Sequence, residues 1–187
     1  SSIGRLQQVQ TYGGGLTTYS YPNPNEVDTS VLQAGSTSLT TATIVDSRGR
    51  PYKKVSGDTY TETTYDGDGR AYCVTNPQSS SGYSSTDGGV CTYYDGADRP
   101  ISKSMQDGNS MTMQYSGNTV TVTDEVGHKK EYASDAFGQL TDVWEPDSTG
   151  ALNWHTQYTF NALGEMLTAT QMGGTTDTTQ WRTRSWT

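Results

Sequence analysis

The chain has 187 residues, only 30% of them hydrophobic, and a formal net charge of −8 from 20 Asp and Glu against 12 Lys and Arg. That apolar fraction argues against a thick two-layer core, while 13 Tyr, 4 Trp and abundant Thr and Val argue for folded strands rather than disorder. Lys53-Lys54 and Lys129-Lys130 are isolated doublets, which argues against a nucleic-acid or anionic-membrane partner, and no apolar run reaches membrane-spanning length.

Ser1 to Leu6 (SSIGRL) does not read as a signal peptide, so the chain is expected to be a mature or internal piece, one period or a fragment of a longer protein. Tyr21 to Glu26 (YPNPNE) is predicted to be an irregular loop. From there a four-residue pattern, D-x-x-G, recurs at Asp46–Gly49, Asp66–Gly69, Asp95–Asp98, Asp124–Gly127, Asp135–Gly138 and Asn161–Gly164. Gly4 reads as the glycine of a seventh copy that has lost its front half. The chemistry is that of a hairpin turn. Asp or Asn at the first position accepts backbone N–H groups, and glycine at the fourth takes the positive φ that ends a type I turn in a bulge. Asp98 stands where glycine is expected, so the third copy is predicted to be the weakest turn.

Between the turns the residues alternate as strands do. TYTETTYD before Gly67, HKKEYASD before Ala136 and NWHTQYTF before Asn161 each read as a strand. MTMQYSGNTVTVTD sets Met111, Met113 and Tyr115 on one face, turns at Ser116-Gly117-Asn118, and returns with Val120 and Val122. No segment carries a sustained helical stripe. The expected fold is an antiparallel meander of roughly 12 to 15 short strands, with Glu145 to Gly150 (EPDSTG) and the Ser-rich stretch after Cys73 as loops. Cys73 and Cys91 bracket that stretch. A disulfide there would contribute roughly 3 kcal/mol by closing the loop and would place the chain in an oxidising, extracytoplasmic setting; two buried thiols are the alternative.

YDGDGRAYCVTNP, YDGADRPIS, SDAFGQLTDVWEP and FNALGEMLTATQ resemble the YD repeats of the RHS family: an aromatic residue, Asp, two variable residues, Gly, then Arg and an apolar position. The resemblance covers most of the chain. It implies an all-β fold in which one YD-repeat array, residues 1–187, forms a curved or spiralling antiparallel sheet, the wall of a solenoid, shell or tube. Members of the family build hollow shells in insecticidal toxin complexes, bacterial polymorphic toxins and teneurins. The family's core-associated segment and any toxin tail are not in this sequence. On this pattern Tyr65, Tyr94 and Phe160 are expected to pack across strands beside their turn aspartates.

The two ends also match the interior. Trp181 to Thr187 followed by Ser1 to Gly14 aligns without a gap to Trp154 through Gly174, with Ile3, Leu6 and Val9 opposite Leu163, Met166 and Ala169. Trp181, Trp186, Ile3, Gly4 and Leu6 are therefore expected at a junction between adjoining copies, whose free strand edges would pair head to tail into a ring, filament or tube.

Catalytic chemistry is not signalled. His128 and His155 stand outside any nucleophile or metalloprotease motif, and no phosphate-binding loop occurs. No catalytic residue and no cofactor is expected. Asp66 and Asp68, and Asp95 and Asp98, have a spacing reminiscent of calcium loops but lack the remaining ligands, so turn formation is the simpler reading. Trp144, Trp154, Trp181 and Trp186 are read as sheet-covering rings, with a carbohydrate platform as the alternative. The sequence thus predicts a non-enzymatic, extracellular structural protein whose partners are copies of itself. The alternatives are a shell segment enclosing a toxin cargo and a carbohydrate-binding module at the cell surface.

Overall fold

The computed structural model of the chain describes residues 4–32, 37–79 and 88–187. They form two compact units, Ser1–Thr92 and Tyr93–Thr187. In the first, the strands are β1 (Gln8–Gln10), β2 (Leu16–Ser20), β3 (Glu26–Leu32), β4 (Ser38–Val45), β5 (Pro51–Ser56), β6 (Thr59–Tyr65), β7 (Ala71–Thr75), β8 (Gln78–Ser79) and β9 (Gly89–Tyr94), the last crossing the boundary. Each of β1 to β6 pairs antiparallel with the next, β8 pairs with the start of β6, and β9 returns beside β7.

The second unit is an uninterrupted meander: β10 (Pro100–Ser104), β11 (Ser110–Ser116), β12 (Thr119–Thr123), β13 (Lys129–Ser134), β14 (Leu140–Pro146), β15 (Leu152–Phe160), β16 (Met166–Gly173) and β17 (Arg182–Ser185), each paired antiparallel with its successor. One 3₁₀ turn, Thr178–Gln180, links β16 to β17 and is capped by Asp177, which accepts the Thr179 N–H at 3.0 Å. The fold is an antiparallel β-meander, as the residue pattern predicts.

The described residues hold 17 strands, more than the expected 12 to 15. The excess lies in β1, β8 and β17, which are 3, 2 and 4 residues long and too short to show alternation.

Alternation sets the faces. In β11, Ser110, Thr112, Gln114 and Ser116 are exposed while Met111, Met113 and Tyr115 are half-buried. Met113 and Tyr115 lie opposite Val122 and Val120, and Val120 opposite Tyr132, so one face of these strands is apolar and the other rich in Thr and Gln. Yet Tyr60 and Ala133 are the only hydrophobic residues buried among those described, joined by Gln78, which sits opposite Tyr60. Hydrogen-bonded ladders and cross-strand pairs therefore hold each unit more than a core does.

Among the described residues, two hairpins have two-residue loops. Gly57-Asp58 and Gly117-Asn118 join Ser56 to Thr59 and Ser116 to Thr119, with glycine φ of 58° and 57°. Glycine first in the loop marks a type II′ turn, whose twist suits paired strands. Thr59 and Thr119 lock these turns by donating Oγ1–H to the Ser56 and Ser116 carbonyls at 3.0 and 2.9 Å.

Candidate functional site: the clamped turns

Among the described residues, nine turns share one backbone pattern. The N–H of the first residue donates to the carbonyl four residues on, and the N–H of the fourth donates back to the first; the first residues are Thr11, Asp46, Asp66, Asp95, Met105, Asp124, Asp135, Asp147 and Asn161. At the seven Asp and Asn positions, Oδ1 also accepts the N–H groups two and four residues later, at 2.8 to 3.2 Å. The fourth residues Gly49, Gly69, Gly127, Gly138 and Gly164 have φ between 79° and 91°. Asp98 holds the same place at φ 61°, a region that costs a side-chain-bearing residue energy. The ladder slips by one residue beside several turns, at Ile44/Val45, Thr64/Tyr65, Ala133/Ser134 and Thr159/Phe160, so the bulges sit where the turn chemistry puts them.

Three of the nine were not read from sequence, and one corrects a prediction. Glu145 to Gly150 is not an irregular loop: Asp147–Gly150 makes the same turn, and β14 runs through Glu145 and Pro146. Met105–Gly108 has Asp107 at its third position, where Oδ1 accepts the Asn109 N–H instead. Thr11–Gly14 uses the Thr11 hydroxyl to accept the Gly15 N–H at 3.1 Å.

The residue after the turn carries the second half of the device. Arg50 donates Nε–H to Asp46 Oδ2 at 2.8 Å, and its guanidinium lies over the Tyr65 ring, 4.1 Å from the centroid. The Tyr65 hydroxyl donates to the Pro51 carbonyl. Arg99 repeats this with Asp95 (2.8 Å), the Tyr115 ring (4.3 Å) and a Tyr115 hydroxyl bond to the Pro100 carbonyl at 2.9 Å. Arg5 lies over Tyr21 (4.8 Å), whose hydroxyl donates to the Leu6 carbonyl at 2.8 Å.

In each case the tyrosine lies within one residue of the end of the second strand of the hairpin that the arginine begins. Where Gln139 replaces the arginine, the aromatic that ends the following hairpin is Phe160, which has no hydroxyl; both line one cleft of about 520 Å³. This explains why Tyr and Asp are adjacent in YDGDGR. Tyr65 completes the clamp on Arg50, and Asp66 opens the next by holding Arg70 Nε at 2.7 Å.

These bonds move the carboxyl titrations. Asp46 is held below the usual carboxylate range chiefly by the Arg50 backbone N–H, then by the Arg50 side chain. Asp95 is lowered first by the Arg99 side chain and next by its N–H. For Asp66 and Asp124, burial raises the pKa, but bonds from Arg70 and from the His128 and Val126 N–H groups outweigh it. Anionic oxygens that accept several N–H bonds favour the charged form.

The remaining predicted residues divide as follows. Cys73 and Cys91 are bonded, directly opposite one another on β7 and β9, with Cα atoms 4.0 Å apart. A Cβ on Gly89, two residues away, would lie 2.3 Å from the Val74 carbonyl, so this close pairing needs glycine. Asp66 and Asp68 both face Arg70, at 2.7 and 3.2 Å, and Asp95 faces Arg99. Among the described residues no group of three or more His, Cys, Asp or Glu is placed to hold a metal ion.

His155 stacks on Trp144 (centroids 4.7 Å apart, planes 8° from parallel), with Nε2 2.8 Å from Asp142 Oδ1, a contact that sequence reasoning did not find. His128 replaces the clamp arginine and lies 3.3 Å from Asp124. Trp181 donates Nε1–H to the Thr175 carbonyl at 3.0 Å, while Trp154 and Trp186 are about half exposed. Of the predicted junction residues, Gly4 has φ 68° and Leu6 is exposed; Ile3 lies outside the described residues.

No protein-family model matches the chain, and no curated protein does. Solved structures do. A chain of the TcdB2-TccC3-Cdc42 complex is similar over 84% of this chain and 9% of its own length, at TM-score 0.60 and 11% identity. A chain of TcdB2-TccC3 is similar over 86% and 11%, at 0.58 and 11% identity. In the Tc holotoxin pore of Photorhabdus luminescens, with a TccC3 variant, the match covers 90% and 12%, at 0.60 and 13% identity. At such identities the likeness is one of fold, and this chain spans about a tenth of the length of the chains it matches.

Proposed function

We propose that this chain is a wall segment of an RHS-type YD-repeat protein: a non-enzymatic, extracytoplasmic sheet that gains its function by continuing into more sheet of the same kind. The observation that carries this reading is the clamped turn, repeated with the same hydrogen bonds in both units. A device spent on joining one hairpin to the next suits a wall. The fold likeness to Tc toxin chains supports the shell form of that wall, in which the sheet would enclose a cargo. The disulfide supports an oxidising location.

A second reading has its own support. The gapless match of residues 181–187 plus 1–14 to 154–174 favours continuation by another copy of this chain, head to tail. Negative-stain imaging of the purified chain across a concentration series tests both. Fibres or rings would establish the self-assembled form. Isolated particles that gain order only when fused to flanking sequence would establish the shell segment, and a catalytic activity copurifying with the chain would overturn both.

A further inference from the structure

β17 is the strand by which the second unit is open to extension. It pairs with β16 through Gln171↔Arg182, Thr170↔Thr183, Ala169↔Arg184 and Thr168↔Ser185, and the Trp186 N–H donates to the Leu167 carbonyl at 3.0 Å. Antiparallel ladders turn the backbone groups of alternate residues to opposite sides. Arg182, Arg184 and Trp186 therefore direct theirs to β16, and Thr183 and Ser185 direct theirs outward, where no strand meets them among the described residues.

The side chains beside this edge carry a definite chemistry. Arg182, Arg184 and Trp186 share one face and, with Tyr158, Ala169 and Gln171, line a cleft of about 190 Å³. Side chains two apart on a strand stand roughly 7 Å from each other. Arg50, Arg70 and Arg99 are each neutralised by an aspartate, but Arg182 and Arg184 have no carboxylate partner among the described residues. Two uncompensated guanidinium groups thus lie side by side on a chain of net charge −8.

We infer that the β17 edge accepts an extended acidic segment as an added antiparallel strand, of pattern apolar-x-Glu-x-Glu. Its backbone bonds Thr183 and Ser185; its apolar residue meets Trp186, and its two carboxylates meet Arg184 and Arg182. This rests on the wall reading and narrows it, because it fixes the charge of the strand that continues the sheet here. β1 of a second copy offers Gln8, Val9 and Gln10, without a carboxylate, and is the poorer match.

The test uses the full chain and two fluorescein-labelled probes, Val-Thr-Glu-Thr-Glu-Thr and its Lys-for-Glu counterpart. The Glu peptide is expected to bind at least about tenfold more tightly at low salt, with the advantage shrinking as salt rises. It should slow amide hydrogen exchange at Thr183 and Ser185, and the Arg182→Glu/Arg184→Glu double variant should prefer the Lys peptide. Equal affinity for the two probes, or protection elsewhere, would overturn the inference. Protection of Thr183 and Ser185 that grows with chain concentration and needs no peptide would also overturn it, assigning the edge to a second copy and leaving the wall reading intact. Peptide binding by a chain that images only as monomers would support the edge assignment and count against self-assembly.

Discussion

Arg50 meets an anion on one side and an aromatic face on the other, and each partner is tied to a different part of the chain. Asp46 belongs to the turn that starts the hairpin, Tyr65 to the strand that ends it. The tyrosine hydroxyl adds a bond to the Pro51 carbonyl, so Tyr65→Phe should lower stability by about 1 kcal/mol in urea unfolding. Acid should loosen the clamps in a stated window. Asp46, Asp66 and Asp95 have folded pKa values below the unfolded value of about 3.9, so their contribution is complete above that pH and is lost as pH falls through the lowered values. Urea midpoints should be level from pH 7 to about 5 and decline below about 4. In Asp66→Asn the fall should be shallower, from a lower starting stability, because the amide keeps the Oδ1 acceptor but loses the ion pair.

Turns are the element whose chemistry is most local, which is why most of them were legible in the sequence. An Asp or Asn followed three residues later by glycine names both its acceptor and its positive φ. Met105–Gly108 escaped because its acceptor is Asp107 at the third position, Thr11–Gly14 because a threonine hydroxyl stands in for the carboxylate, and Asp147–Gly150 because Glu145 to Gly150 reads as an irregular loop. The arginine–tyrosine clamp was half legible. Tyr next to Asp was expected to cross strands, but its partner lies some fifteen residues back, a distance set by hairpin length. The same geometry gives the turn glycines unequal surroundings. A Cβ on Gly49 would meet nothing within 4 Å, whereas on Gly69 it would come within 3.3 Å of the Arg50 guanidinium. Both Gly→Ala changes should cost roughly 1–2 kcal/mol for the left-handed backbone, with Gly69→Ala the larger. In an Arg50→Ala background the two should become equal, which a double-mutant cycle by urea unfolding would read.

At the scale of the whole molecule, exposure carries the argument. The chain presents 12660 Å² to solvent at a mass of 20.3 kDa, where a globular monomer of that mass presents roughly 8800 Å² and its unfolded form roughly 29,000 Å². Unfolding should therefore expose about a fifth less new surface than it does for a globule of equal length, and the urea m-value should be lower in proportion. The exposed apolar residues include Val9, Val31, Leu39, Phe137 and Leu163, so part of the unburied surface is of the kind that further sheet could cover. If more sheet supplies that cover, m-value and midpoint should both rise with chain concentration or on fusion to flanking sequence, since binding to the folded state alone stabilises it by mass action. An m-value that already matches a globule of this length and does not change over a hundredfold concentration range would mean the chain completes itself, and the wall would lose its physical reason to continue.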